Sequence, residues 1–380
     1  MVRTWATAVA ALALLVDALF LGAHAAAAEL PKSTQAHLTA LHLDASFMDG
    51  LDRELAVPQA WIDGAKKEGN LRLTGSWDND QFQKLVQPFN ERYPFIKINY
   101  TRGDLTLRAV RPLVALKEGR IITDIVTGLG DYVNEYMAIG GFETTKTFPA
   151  YDAVAPDLKQ KDGLWIGAKL RYWCMSYNTA ALKKSDLPKT WDDLFTDPAM
   201  RGGKLGLANE AQLWLLPLAG PKGEAWMTSA IARLFNDVKP QRRKESVNAL
   251  QGLVIAGEIN AALPAADYRV AQYVAKGAPI AWHCPEPVPS AISEMALIKG
   301  SPNTNAAHLF GNWLISKEGQ VSQYVADGAT PIHRGMQSKE FLAFPQEIEN
   351  KPVAFLASER YGVESKVMLD AWNPLWNRAQ

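Results

Sequence analysis

Two short loops carry residue types able to hold a small polar guest. Gly75-Ser76-Trp77-Asp78-Asn79 follows an apolar run with Leu71 and Leu73, and precedes apolar residues at helical spacing, Phe82, Leu85, Val86 and Phe89. A hydroxyl, an indole and a carboxylate thereby sit between a strand's carboxyl end and a helix's amino end, where open α/β sheets place ligands. An ordinary strand-to-helix turn without a ligand fits the same residues. Thr127-Gly128-Leu129-Gly130-Asp131 closes a second apolar run, Asp124-Ile125-Val126. Its glycines invite a phosphate-loop reading, but their spacing matches neither the dinucleotide fingerprint nor the Walker pattern with its lysine. What remains is a second ligand-facing loop at the same sheet edge. A third loop, Pro264-Ala265-Ala266-Asp267-Tyr268, ends the expected strand Gly257 to Leu263. Arg102, at a strand end, is a candidate partner for an anion; Arg108 and Arg171 suit that role or simple packing at the surface or between lobes.

Nucleophilic and metallohydrolase chemistry find no support. The chain has no G-x-S-x-G elbow and no H-E-x-x-H pair, and none of its six histidines has ligand spacing. His283 beside Cys284 resembles a base and nucleophile, yet adjacent residues on a strand point to opposite faces.

The elements that must position these loops follow an alternating grammar. A helix from Val57 to Gly69 feeds the first strand; Asp78 or Asn79 caps the next helix, which Tyr93-Pro94 closes. Ile96, Ile98 and Tyr100 alternate as a second strand, and a helix over about 105–118 leads to the third. Strand, helix, strand in this order implies a parallel sheet. Gly163 to Asn178 is long, extended and aromatic. Thr190 and Asp193 form a capping box for a short helix, and Leu205 to Leu207 opens a second α/β unit. Pro279 to Trp282 and Ser293 to Ile298 complete the strands, the latter running back beside Arg171 to Tyr177. Helices at Ala306 to Ile315 and Lys317 to Ala326 follow, with Ser316 as cap, and Trp372 and Trp376 pack the chain's end. Residues 29–56 show no period and read as a loosely packed extension. Gln241-Arg242-Arg243-Lys244 reads as a solvated helix start.

At 380 residues and 48% hydrophobic content, about two domains are expected. Forty basic residues balance forty acidic ones, so neither a nucleic-acid surface nor a polybasic membrane face is indicated. Residues 1–28 have the form of an export signal. Arg3 precedes an apolar stretch from Trp5 to Leu21, with small-residue cleavage sites after about Ala25 or Ala28. Asp17 interrupts a stretch already too short to span a bilayer, and no cysteine near the cleavage site offers a lipid anchor. The expected compartment is a bacterial periplasm. Export permits a disulfide between the two cysteines, Cys174 and Cys284; two buried thiols are the alternative.

Taken in order, AKKEGNLRLTGSWD, FNERYPFIKINY, TDIVTG, Tyr177-Asn178-Thr179, KTWDDLFTDPAMRGGKLGL, GEINAAL with Asp267-Tyr268, and KGSPNTNAAHLFGNWLISKEGQ run from about residue 57 to 335. In these segments the chain resembles the substrate-binding proteins of bacterial ABC importers, in the group related to ferric-ion-binding proteins. The resemblance implies an α/β, type II periplasmic-binding fold with two lobes joined by two crossing hinge strands. Lobe 1 would comprise residues 57–173 with 290–332, and lobe 2 residues 174–289 with 333–380. It implies a monomer that closes on its ligand and delivers it to an ABC permease and its ATPase. It places Ser76, Trp77, Asp78 and Thr127 to Gly130 on one side of the cleft and Asn209, Glu210, Asp267 and Tyr268 on the other. Ferric binders use two neighbouring tyrosines, usually with a histidine and a glutamate. Here Asp267 and Tyr268 stand at the tyrosine pair, Asp78 where the histidine would fall, and Leu129 near the glutamate. Asp78, Asp267 and Tyr268 then form either a hard-oxygen site for ferric iron or hydrogen-bonding partners of a small organic or phosphorylated solute, with Trp77 stacking against it. No resident cofactor is implied, and a ligand-sensing role before a membrane receptor shares the same fold.

Overall fold

The computed structural model describes residues 30–356 and 358–378; the expected export signal lies outside them. β1 (Asn70–Gly75) pairs in parallel with β2 (Lys97–Arg102) on one side and β3 (Ile125–Thr127) on the other. Leu71 and Leu73 of β1 are buried, and the helix Asn79–Leu85 covers them with Phe82 and Leu85. Pro88 interrupts that helical run, so a second short helix, Gln87–Arg92, starts beyond Val86. The short β4 (Phe142–Glu143) follows.

Chain direction changes at the two longest strands. β5 (Ile166–Asn178) runs antiparallel to β10 (Val288–Ile298) over its first half, then leaves it to pair with β8 (Ala261–Ala266) and β9 (Ile280–His283). β8 in turn lies beside β6 (Leu205–Ala208), which carries β7 (Gln241–Arg243) at its edge. The strand order is β2-β1-β3-β10-β5-β8-β6-β7, with β4 and the two-residue β11 (Val353–Ala354) attached to β10. Two α/β units are thus spliced through β5 and β10. Their cores divide on these strands: Leu170 and Met295 pack with Leu73, Phe89 and Trp313, whereas Met175 and Val288 pack with Trp191, Leu207 and Trp214. The C-terminal helix Ser358–Trp376 touches both units. It lies on Leu215–Lys222 and Glu224–Arg233 of the second, and on the turn Gly130–Tyr132 and helix Val133–Ala138 of the first.

Three local expectations are corrected. The stretch from Pro31 to Leu55 is not loosely packed. It forms the helix Lys32–Ala40 and short turns held on lobe 1 by buried polar bonds, with Thr34 donating to Glu318 (2.6 Å) and Glu54 accepting from the Lys317 amide (2.7 Å) and pairing with His333 (2.9 Å). Polar anchors of this kind have no hydrophobic period to betray them. Gln241 to Arg243 is the edge strand β7 rather than a helix start, because pairing with β6 overrides local preference. The strand expected at Gly257 to Leu263 begins later, at Ala261, and runs to Ala266, so Asp267 and Tyr268 open the helix Asp267–Val274 instead of lying in a loop.

Cys174 and Cys284 are bonded, with Cα atoms 5.1 Å apart and a sequence separation of 110. The bridge fixes β5 to the chain just beyond β9, within the second lobe. A loop of this length restricts the unfolded chain strongly. Reduction, or the double change Cys174→Ala and Cys284→Ala, is expected to lower the unfolding free energy by up to about 4–5 kcal/mol. Urea titrations with and without reductant measure it, and coincident curves would contradict the expectation.

Candidate functional site

Side chains two apart on a strand share a face, and on β5 that rule sets Lys169 and Arg171 together in an otherwise apolar segment. Both are withdrawn from water, Lys169 to 1% side-chain exposure and Arg171 to 15%. Buried cations need a paired, hydrogen-bonded anion. Asp327, the last residue of the helix Lys317–Asp327, supplies it. Its Oδ2 accepts from Lys169 Nζ at 2.6 Å and Arg171 Nη2 at 2.9 Å, while Oδ1 accepts from Gln323 Nε2 at 2.7 Å and the Ala329 amide at 3.0 Å. Burial works against ionised Asp327, but the two cations prevail and hold it below the usual carboxylate range. Burial, reinforced by neighbouring Arg171, lowers Lys169.

From this cluster contacts reach both lobes. Lys169 Nζ lies 4.4 Å from the centre of the Trp77 ring, in the loop after β1. The Arg171 guanidinium lies 4.0 Å from the centre of the Tyr268 ring, at the start of the helix after β8. Beside Tyr268, Asp267 is 1% exposed; Oδ1 accepts weakly from the Tyr172 amide at 3.4 Å. Desolvation pushes its carboxyl up to about 7 against the pull of backbone amides and Arg171. Asp267 Oδ2 and Arg171 Nη1 are both buried without a hydrogen-bond partner among the described residues.

The glycine loop after β3 is occupied from within. Gly128 and Gly130 adopt left-handed φ of 63° and 55°, which turns the loop's amides inward. The carboxylate of Glu294, from β10, accepts there from the Leu129 amide at 3.2 Å. Arg108 donates to the Gly128 carbonyl at 2.8 Å and lies in the field of both Glu294 and Lys169. Burial raises Glu294 to about 7, opposed by these amides and by Arg108.

The sequence-derived residues therefore separate. Trp77 is 1% exposed and built into lobe 1, its Nε1 donating to Gln323 at 2.9 Å; it meets Lys169 rather than presenting an open face. Thr127 is buried and donates to the Thr74 carbonyl. Asp78 caps the helix Asn79–Leu85 and pairs with exposed Arg102 at 2.9 Å, and Ser76 next to it is exposed. Asn209 accepts from Trp372 Nε1 at 2.8 Å, and Glu210 pairs with Gln212. Trp77, Asp267 and Tyr268 lie against Lys169 and Arg171, and the Gly128–Gly130 loop meets Glu294 and Arg108; Asp78, Arg102, Asn209 and Glu210 have other partners. Among the described residues no group of three or more His, Cys, Asp or Glu side chains is arranged to hold a metal ion.

Residues 75–321 match the family described as bacterial extracellular solute-binding protein. The chain belongs to that family. It is a family of binding proteins, not of enzymes. No curated protein sequence matches this solute-binding protein. Solved structures show its fold to be that of type II periplasmic binding proteins. Iron-bound HitA from Pseudomonas aeruginosa is 20% identical with a TM-score of 0.65, over 80% of this chain and 99% of its own. A ferric binding protein from Campylobacter jejuni is 16% identical with a TM-score of 0.67, over 80% and 99%. AfuA from Actinobacillus pleuropneumoniae, with fructose-6-phosphate bound, is 21% identical with a TM-score of 0.63, over 82% and 99%. No helix among the described residues is long and apolar enough to cross a membrane.

Lys169, Asp327, Gln323 and Glu294 escaped sequence reading. Lys and Arg two apart in an apolar strand, and a lone glutamate in Ser293-Glu294-Met295-Ala296-Leu297, are the signals that could have found Lys169 and Glu294; Asp327 and Gln323 carry none.

The raised carboxyls set a pH dependence. Asp267 and Glu294 titrate near 7 when folded and near 3.8 and 4.5 otherwise, so between those values the folded state binds more protons. Their contribution is full below pH 4 and is lost as pH rises through about 7. Glu347, held down to about 2 by His283 and Lys184 although burial opposes them, acts oppositely and loses its contribution as pH falls from 4.5 toward 2. The melting temperature without ligand is expected to decline from pH 5 to pH 7, and Asp267→Asn with Glu294→Gln to flatten that decline. An unchanged slope in calorimetry would refute the assignment.

Proposed function

We propose that this protein is the periplasmic substrate-binding component of an ABC importer, capturing a small organic solute between its lobes and passing it to a permease driven by its ATPase. The observation that carries the reading is the convergence of side chains from both lobes, Trp77 from the loop after β1 and Tyr268 from the helix after β8, on one buried, ionic centre at the splice of β5 and β10. A guest bound there touches both units and favours their closed arrangement by its differential affinity for it. Recognition is by hydrogen bonds and charge, and no bond of the solute is made or broken.

An organic solute fits this centre better than ferric iron. The Arg171 guanidinium already lies on Tyr268 and in the field of Asp267, where iron would bring its own positive charge. Asp78, the third oxygen donor, is engaged by Arg102. The relatives named for iron and for a sugar phosphate show that one fold serves both kinds of cargo. The form of residues 1–28 supports export to the periplasm, where the protein would act as a monomer.

A thermal-shift screen of the mature chain with ferric citrate, sugar phosphates, amino acids and polyamines tests the reading, since a ligand that binds only the folded form raises its melting temperature. A hit is expected to contract the envelope in solution scattering. Tyr268→Phe keeps the ring under Arg171 and removes one hydroxyl; it is expected to weaken the hit roughly tenfold with little change in melting temperature. A hit whose affinity ignores Tyr268→Phe and Asp267→Ala would place the site elsewhere.

A further inference from the structure

Within the ionic centre, charge and unused hydrogen-bonding capacity narrow what can enter. Three cations, Arg108, Lys169 and Arg171, face three carboxyls, Asp267, Glu294 and Asp327. In their ionised forms they balance. Asp327 is saturated by four donors, Lys169 is taken by Asp327 and Trp77, Arg108 by the Gly128 and Gly103 carbonyls, and Glu294 by the glycine loop. Two polar groups are left with capacity, and they are of opposite kind: the Nη1 arm of Arg171, which donates, and Oδ2 of Asp267, which accepts. Each lies in the other's field, yet no hydrogen bond joins them. Burying an unpaired polar group is costly, and an unpaired charge more so. A net anion would satisfy Arg171 and leave Asp267 stranded beside added negative charge. A net cation would do the reverse.

We propose, on the footing of the solute-binding reading above, that the cleft selects a small zwitterion, its oxyanion on Arg171 Nη1 and its ammonium on Asp267 Oδ2, with Tyr268 alongside. Such a guest completes both groups and leaves the balance of the centre unaltered. The glycine loop takes no part in holding the anion, because Glu294 fills it.

The test titrates the mature chain, by thermal shift and calorimetry, with the zwitterions glycine, β-alanine, γ-aminobutyrate and δ-aminovalerate. Each is set against the carboxylic acid and the amine of the same chain length; O-phosphoethanolamine against ethyl phosphate asks whether the oxyanion is a phosphate. Ferric citrate and glucose complete the panel. One zwitterion is expected to bind at least about tenfold more tightly than its matched acid and amine, the loss typical of one charged hydrogen bond. Asp267→Asn keeps the shape and should erase the preference for the zwitterion over its acid. Arg171→Lys keeps a cation for Asp327, removes the spare arm, and should weaken zwitterion and acid alike. A matched acid or amine binding as well as the zwitterion overturns the proposal. So does a response to ferric citrate or glucose alone, which leaves the solute-binding reading standing. Silence of the whole panel, with both variants melting normally, overturns the proposal, and an unchanged scattering envelope in every arm of the broader screen would remove the solute-binding reading as well.

Discussion

A single carboxylate, Asp327, allows β5 to carry two cations through the middle of the molecule. Strand β5 is the splice between the lobes and must be buried along its length, yet it brings Lys169 and Arg171 inside. Removing such charges from water costs several kcal/mol each unless geometry and hydrogen bonding compensate. Asp327 receives both cations, the Gln323 amide and the Ala329 backbone, so no lone pair is left idle. Its position at a helix carboxyl terminus is by itself unfavourable for a negative charge. That a carboxylate is kept there is understandable only through the pair it serves. From this knot Lys169 reaches the first lobe's Trp77 and Arg171 the second lobe's Tyr268.

Rigid bodies must stand on either side of such a knot if a guest is to sense both. In the first lobe Glu318 acts as an internal anchor: Arg92, Thr34 and Trp313 Nε1 all donate to its fully buried carboxylate. The N-terminal helix is thereby fastened to the same helix that ends in Asp327. In the second lobe the disulfide, with Glu347 accepting from the Cys284 amide at 3.2 Å, ties β5 to the chain beyond β9. These fastened parts meet where β5 exchanges β10 for β8 and β9. The helix Ser358–Trp376 rests on both lobes.

Much of the architecture was legible because hydrophobic period and capping chemistry report local structure directly. Leu71 and Leu73, the Thr190 capping box and the Ser316 cap all stand where spacing put them. Misplaced elements share a cause: their form is decided by distant partners. Strand β7 exists through its ladder to β6, and the N-terminal segment is ordered by Glu318 and His333, 284 and 279 residues from their partners Thr34 and Glu54. The candidate site divides along the same line. Loops at strand ends were legible, as sheet topology fixes where such ends gather. Which side chains meet there was not, since Lys169, Asp327 and Glu294 come from three elements that no local pattern connects. Trp77 illustrates the difference, being in the right loop but turned into its own lobe.

The glycine loop shows how the same fold can change cargo without changing shape. Left-handed Gly128 and Gly130 turn amides inward as an anion-binding loop would, and an open loop of this kind would favour a phosphate. Here the protein supplies the anion itself, through Glu294. A second negative group arriving there would meet a carboxylate already in place, and like charges in a poorly solvated site repel strongly. The internal carboxylate therefore withdraws one anion position from the cleft and leaves the spare arm of Arg171 as the donor with open capacity. On the zwitterion proposal, with Asp267 next to it, specificity passes from the backbone of a loop to two side chains of opposite charge. Side chains are substituted more readily than loops are rebuilt, and that is a physical reason for relatives of this fold to hold iron in one case and a sugar phosphate in another.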